Sequence, residues 1–183
     1  MANFLKAGIA LALTTTAAIA DGHAQNWDMP MAYAATNYHS EQGVIFADRV
    51  REYTDGAINI TVHPGGSLFG GGDIKRAVQT GQVPIGERFM SAHANEAPLL
   101  GWDNLPFIAT SYADNAKLWD AARDSVNAQL ADLNLVALYT CPWPGQGFYF
   151  NKEVASSADT QGIKFRSYNS ATATFAQELG MIP

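Results

Sequence analysis

Thr140-Cys-Pro-Trp-Pro-Gly-Gln-Gly-Phe-Tyr-Phe-Asn151, followed past a polar turn by Gln161-Gly-Ile-Lys-Phe-Arg-Ser-Tyr-Asn169, is the stretch around which the chain is organised. Pro142 and Pro144 flank Trp143, and Gly145 and Gly147 follow, a composition that interrupts regular structure between two strand-like runs. Phe148-Tyr-Phe150 reads as a returning strand. Beyond the polar connection Ser156 to Gly162, Ile163 and Phe165 alternate with Lys164 and Arg166, and Ser167 to Ser170 open a helix-like segment. An arginine at the end of a strand, just before a helix N-terminus and near many aromatics, offers a fixed fork to a carboxylate. Taken alone, Arg166 also fits a solvated surface residue or a structural ion pair, and the residue pattern by itself favours that plainer reading.

Upstream of this stretch the chain reads β-α-β. Trp27 to Tyr33 is a first strand, and a helix follows with Ser40 as its candidate N-cap and Phe46, Val50 and Tyr53 on one face. Gly56 suits a left-handed helix end, and Ile58, Ile60 and Val62 alternate with Asn59 and Thr61 as a strand. Gly65 to Gly72 is glycine-rich, but it has no Gly-Lys-Ser/Thr ending and no dinucleotide spacing, so it reads as a turn and not a phosphate cradle. Asp73 starts a second helix with Ile74, Ala77 and Val78 inward, ending at Gly81, and Val83 to Glu87 is a short strand. Glu87 and Arg88 then either face a cleft or pair with one another at the surface, where such a pair contributes about 0 to 1 kcal/mol. Trp102 and Phe107 read as packing residues. A long helix from about Asp114 carries Trp119, Ala122, Val126, Leu130 and Leu133 on one face, Asn134 closes it, and Leu135 to Tyr139 reads as a buried strand.

Composition bounds the rest. The 183 residues are 48% hydrophobic and 15% charged, which is globular usage. A net charge of −6 without a Lys/Arg cluster argues against a nucleic-acid partner. One cysteine, Cys141, excludes an intrachain disulfide, and with four histidines it makes no zinc spacing. Residues 1–24 read as a secretory signal: Lys6 is the positive n-region, Ala7 to Ala20 is apolar, and both Ala18-Ile-Ala20 and Gly22-His-Ala24 fit a cleavage site. The apolar run is too short to span a bilayer, so no membrane insertion is expected after cleavage. Cleavage removes Lys6 and Asp21 together and leaves the net charge at −6.

Gly162-Ile-Lys-Phe-Arg166, Tyr53-Thr-Asp-Gly-Ala-Ile-Asn-Ile-Thr-Val-His-Pro-Gly-Gly-Ser-Leu68 and Asn104-Leu-Pro-Phe107 resemble, in order and spacing, the periplasmic solute-binding subunits of TRAP transporters, the DctP type. The resemblance implies an α/β, two-lobed periplasmic-binding architecture of type II. It places a first lobe at 25–142, and the hinge crossing and start of a second lobe at 143–183. It implies that Arg166 grips the carboxylate of a small organic acid and that the Glu87-Arg88 loop lies on the cleft wall. Trp143, Gln146, Tyr149 and Asn169 would then shape the remainder of the pocket. Gln146 stands where many members carry a second basic residue, which points away from sialic-acid-type ligands. No cofactor is implied, and the partners are the membrane subunits of the transporter. Family members continue beyond residue 183, so the chain is expected to be a fragment with its second lobe incomplete.

Two other functions are weighed against transport. A binding-fold receptor feeding a sensor protein has the same sequence features. A secreted hydrolase would draw on Ser40 beside His39, Ser91 near His93, or Glu87, yet neither a Gly-x-Ser-x-Gly nor a His-Glu-x-x-His motif is present.

Overall fold

The computed structural model describes residues 24–183; the signal reading of residues 1–24 lies outside the described residues but for the last. β1 (Gln25–Pro30) and β2 (Ile58–His63) pair in parallel, with Gln25 opposite Ile58 and Pro30 opposite His63. The helix α1 (Tyr38–Tyr53) connects them, as a parallel pair requires. On its other side β1 continues into a single parallel bridge, Met31 to Glu87, in which the Glu87 amide donates to the Pro30 carbonyl at 3.0 Å. The expected strand Val83 to Glu87 is thus reduced to one bridge, although Val83 and Ile85 are buried.

Two apolar clusters hold these elements. Met29, Met31 and Ile85 form the first, with Trp27, Phe46, Ile60 and Val62 packed against it. The short helix α2 (Ile74–Gln79) buries Ile74 and Ala77, the face its sequence announces. The second cluster joins Ala97 and Leu100 to Val126 and Leu130 of α3 (Tyr112–Asp132), with Trp119 and Leu133 beside them. Asn134 closes α3 at φ 57, and Gly56 and Gly81 close α1 and α2 at φ 78 and 72.

Several expectations are corrected. Asn37, not Ser40, caps α1: its side chain accepts from the His39 amide at 3.0 Å, while the Ser40 hydroxyl donates to the Tyr33 carbonyl at 2.8 Å. Tyr53 is 82% exposed, because α1 packs through Ser40, Gly43 and Ala47, with the Met31 side chain against the Gly43 notch. Phe107 is 83% exposed, turned outward by a left-handed backbone at φ 67 toward Phe175, 6.5 Å away. Leu135 to Tyr139 and Phe148 to Phe150 form no ladder. The first keeps a strand's alternation, with Val136 and Leu138 exposed and Leu135 and Ala137 against the second cluster. A cavity of about 750 Å³ separates it from Met29, Val83 and Ile85, so no strand is within pairing reach. Phe148 instead lies on Phe175 of α4 (Ser170–Glu178), 5.3 Å apart and nearly parallel.

The Arg166 run is held by the chain's last residues. Gly162 and Phe165 amides donate to Gly180 and Ile182 carbonyls, and Ile182 donates back to Ile163. Ile163 and Phe165 are half-buried while Lys164 and Arg166 are exposed, as the alternation predicts. The Gly65 and Gly66 amides donate to Tyr33 and Met31 carbonyls, so the start of the glycine-rich loop ties down the end of β1.

Candidate functional site

A cleft of about 810 Å³ lies between the end of β1, the loop after Glu87 and the Arg166 run. Arg88, Trp143, Gln146 and Arg166 line it, four of the seven residues expected from sequence. Trp143 is its organising wall. The indole meets Tyr33 edge-on at 5.0 Å, Tyr38 at 5.6 Å and Phe89 at 6.4 Å, and lies tilted on His39 at 4.2 Å. The Tyr38 hydroxyl donates to the Pro142 carbonyl at 3.1 Å, which anchors the proline-flanked crossing to the start of α1. Local sequence explains this placement: prolines on both sides of Trp143 deny the backbone a ladder or helix, so long-range contacts fix the indole.

Among the described residues neither Arg88 nor Arg166 has a carboxylate within ion-pairing distance. The expectation that Glu87 and Arg88 simply pair at the surface therefore does not hold; Glu87 is 14% exposed and turns toward His39. Arg88 keeps its Nε buried without a partner. Tyr33 and Tyr168, both lining the cleft, are raised above the usual phenol range by burial; Arg88 first and then Arg166 pull Tyr33 back, while at Tyr168 the Asp103 charge adds to the rise and Arg166 opposes it. The acid on this wall, Asp103, is pushed up by burial and stays less committed to its charge. In a chain of net charge −6, the cleft thus gathers two unpaired guanidiniums among aromatic rings, an arrangement suited to a small anion with an apolar body.

The three remaining candidates stand elsewhere. Tyr149 is 85% exposed and away from the cleft. Asn169 caps α4, its Oδ1 accepting from the Thr172 amide at 2.8 Å and its Nδ2 donating to the Ser91 hydroxyl at 3.4 Å. Glu87 lines the adjoining 750 Å³ cavity, which shares Arg88, Phe89 and Trp143 with the cleft. Sequence reasoning missed Tyr33 and Tyr168 and named His39 only as a hydrolase candidate beside Ser40; the adjacent Tyr38-His39 pair at a helix start was the one available signal. The hydroxyls of Ser40 and Ser91 are engaged with the Tyr33 carbonyl and Asn169, and neither forms a hydrogen bond with a histidine. Among the described residues no cluster of three His, Cys, Asp or Glu suits a metal ion, and no helix is long and apolar enough to cross a membrane.

Known proteins resemble the chain in sequence and in fold. A TRAP solute-binding protein from an unidentified marine microbe, specific for pyroglutamate and solved with co-purified pyroglutamate, is 84% identical, with a TM-score of 0.85. DctP7 of Bordetella pertussis, an extracytoplasmic solute receptor binding pyroglutamic acid, is 39% identical with a TM-score of 0.84. In both cases the match covers 87% of this chain and 53% of the other, so the chain spans about half the length of these structures. A monocarboxylate 2-oxoacid-binding periplasmic protein of Nostoc sp. is 30% identical over 125 residues, 66% of this chain and 34% of its own. The α/β architecture read from the sequence is the one these structures share. The model of the bacterial extracellular solute-binding proteins of family 7, DctP, matches residues 31–183, and the chain belongs to that family.

Proposed function

We propose that this protein is the periplasmic receptor of a TRAP-type transporter, that it captures a small cyclic monocarboxylate, pyroglutamate first among them, and that it hands this to the membrane subunits. The observation that carries the reading is the pair of unpaired guanidiniums, Arg88 and Arg166, on an aromatic-walled cleft of about 810 Å³. Arg166 makes two parallel charge-assisted bonds to the carboxylate, and Trp143 and Phe89 cover the ring. Gln146 adds a neutral donor and acceptor at the exposed side and brings no charge of its own. Residues 25–142 act as the first lobe, and the stretch from Trp143 to Gly147 is the crossing at which the lobes close over the ligand. Export through the 1–24 signal puts the receptor in the periplasm. The similarity to two pyroglutamate-binding receptors, one at 84% identity, supports the choice of acid.

The test is a thermal-shift panel of small carboxylates on the mature receptor expressed from its whole reading frame, beside Arg166→Ala. A ligand at about 100 times its dissociation constant adds roughly 2.7 kcal/mol to stability. Pyroglutamate is expected to raise the midpoint of the wild type and not that of the variant. An equal shift in both would make Arg166 structural, and a shift only with 2-oxoacids would replace the substrate.

A further inference from the structure

The strongest unexplained feature is a set of buried polar atoms without partners beside the cleft. The Glu87 side chain leaves the bridge to Met31 and points Oε1 at His39 Nδ1, 3.5 Å away, while its Oε2 is buried and meets no hydrogen-bonding group. Neither nitrogen of His39 has a hydrogen-bond partner, although the ring is 2% exposed and enclosed by Tyr33, Tyr38 and Trp143. Leaving a buried donor or acceptor unmatched is costly, so such a group next to a ligand cavity invites a ligand that matches it.

We propose that the Glu87 carboxyl, backed by His39, recognises the neutral end of the ligand as an uncharged acid, and that capture is therefore linked to proton binding. The inference rests on the pyroglutamate reading above. A five-membered lactam holds its N–H and C=O side by side in the cis arrangement. A carboxylic acid is complementary to that edge: its O–H donates to the lactam carbonyl while its C=O accepts from the ring N–H. A carboxylate offers only the second bond and adds repulsion toward the ligand's own carboxylate. Arg166 and Glu87 thus divide the ligand between a charged pole and a neutral one.

The surroundings favour the uncharged acid. Burial drives Glu87 up to about 7, with the neighbouring Arg88 charge pulling it back in part. From α1, Tyr38 is pushed up to about 12 and His39 downward, both by burial first. From the segment after α3, burial raises Tyr139 to about 12 and raises the Cys141 thiol, and from the end of β1 it raises Tyr33. These groups are all neutral near pH 7, so Arg88 is the charge beside Glu87 and Glu87 is the group that titrates. Because the ligand needs the acid form, affinity is full below 7 and falls by about tenfold per pH unit above it.

The experiment is calorimetric titration of the whole receptor with pyroglutamate from pH 6 to 9, in two buffers of different ionisation enthalpy. Glu87→Gln and the lactone analogue, 5-oxotetrahydrofuran-2-carboxylate, serve as controls. Affinity is expected to weaken about a hundredfold between pH 6 and 9, with close to one proton taken up per ligand at pH 8.5. Glu87→Gln, whose amide presents the same donor and acceptor, should bind with a flat pH profile and no proton uptake. The lactone, lacking the N–H, should bind the wild type at least about tenfold more weakly. Pyroglutamate binding that is flat with pH, or unchanged for the lactone, overturns the role of Glu87 and leaves the receptor reading standing. Absence of pyroglutamate binding at every pH, with another acid bound, overturns both.

Discussion

Replacing Glu87 by glutamine should make the unliganded receptor more stable at alkaline pH and change it little in acid. The substitution keeps the shape of a side chain that is 14% exposed and removes its ability to ionise. An acid that ionises near 4.5 when unfolded and at about 7 when folded is matched to the fold in its neutral form. Its contribution is full below the unfolded value and is lost as pH rises through the folded one. Linkage puts the loss under about 1 kcal/mol at pH 5 and near 3 kcal/mol at pH 8, a difference on the order of 2 kcal/mol. For a receptor about twice the length of this chain that is about 3 °C in unfolding midpoint. Thermal unfolding of wild type and Glu87→Gln in matched buffers reads it directly, since every other titrating group is common to both and cancels. Midpoints that stay parallel from pH 5 to 8 would refute the reasoning, because they would mean that Glu87 ionises in the fold as freely as in water.

Trp143→Ala removes the ring that Tyr33, Tyr38, His39 and Phe89 converge on, and is expected to lower stability by about 3 to 5 kcal/mol in urea unfolding and to abolish ligand-induced stabilisation. Asn169→Ala should lower stability by about 1 kcal/mol through the lost α4 cap while leaving pyroglutamate affinity within about threefold, as titration of the purified variant would reveal.

What the sequence made legible was whatever depends on neighbours along the chain. Ile58, Ile60 and Val62 announced a strand, Ile74 and Ala77 a helix face, and Val126 and Leu130 the buried line of α3, because period alone decides these. Left-handed closure at Gly56, Gly81 and Asn134 was legible for the same reason. The α1 cap was not: Asn37 holds the extended backbone a cap needs, while the Ser40 hydroxyl is drawn to the Tyr33 carbonyl, a contact set by the tertiary turn. Leu135 to Tyr139 carries the alternation of a strand, but a strand exists only where a partner lies within hydrogen-bonding reach, and a cavity lies there instead. Arg88, Trp143, Gln146 and Arg166, which line the cleft, were reached through the family resemblance, because residue pattern alone left Arg166 a surface arginine and Arg88 half of a possible surface pair. Tyr33 and Tyr168 were not, since nothing local separates a tyrosine that walls a cleft from one on a surface. The orphaned state of Glu87 and His39 likewise needed coordinates, because it is defined by which atoms fail to meet.

The most direct measurement is a crystal structure of the receptor grown with pyroglutamate. The account predicts the ligand where the 810 Å³ cleft meets the adjoining cavity, its carboxylate bidentate on the Arg166 guanidinium at about 2.8 Å and its lactam edge turned into that cavity toward Glu87. A ligand whose carboxylate lies on another group, with Arg166 pointing to solvent, would contradict it.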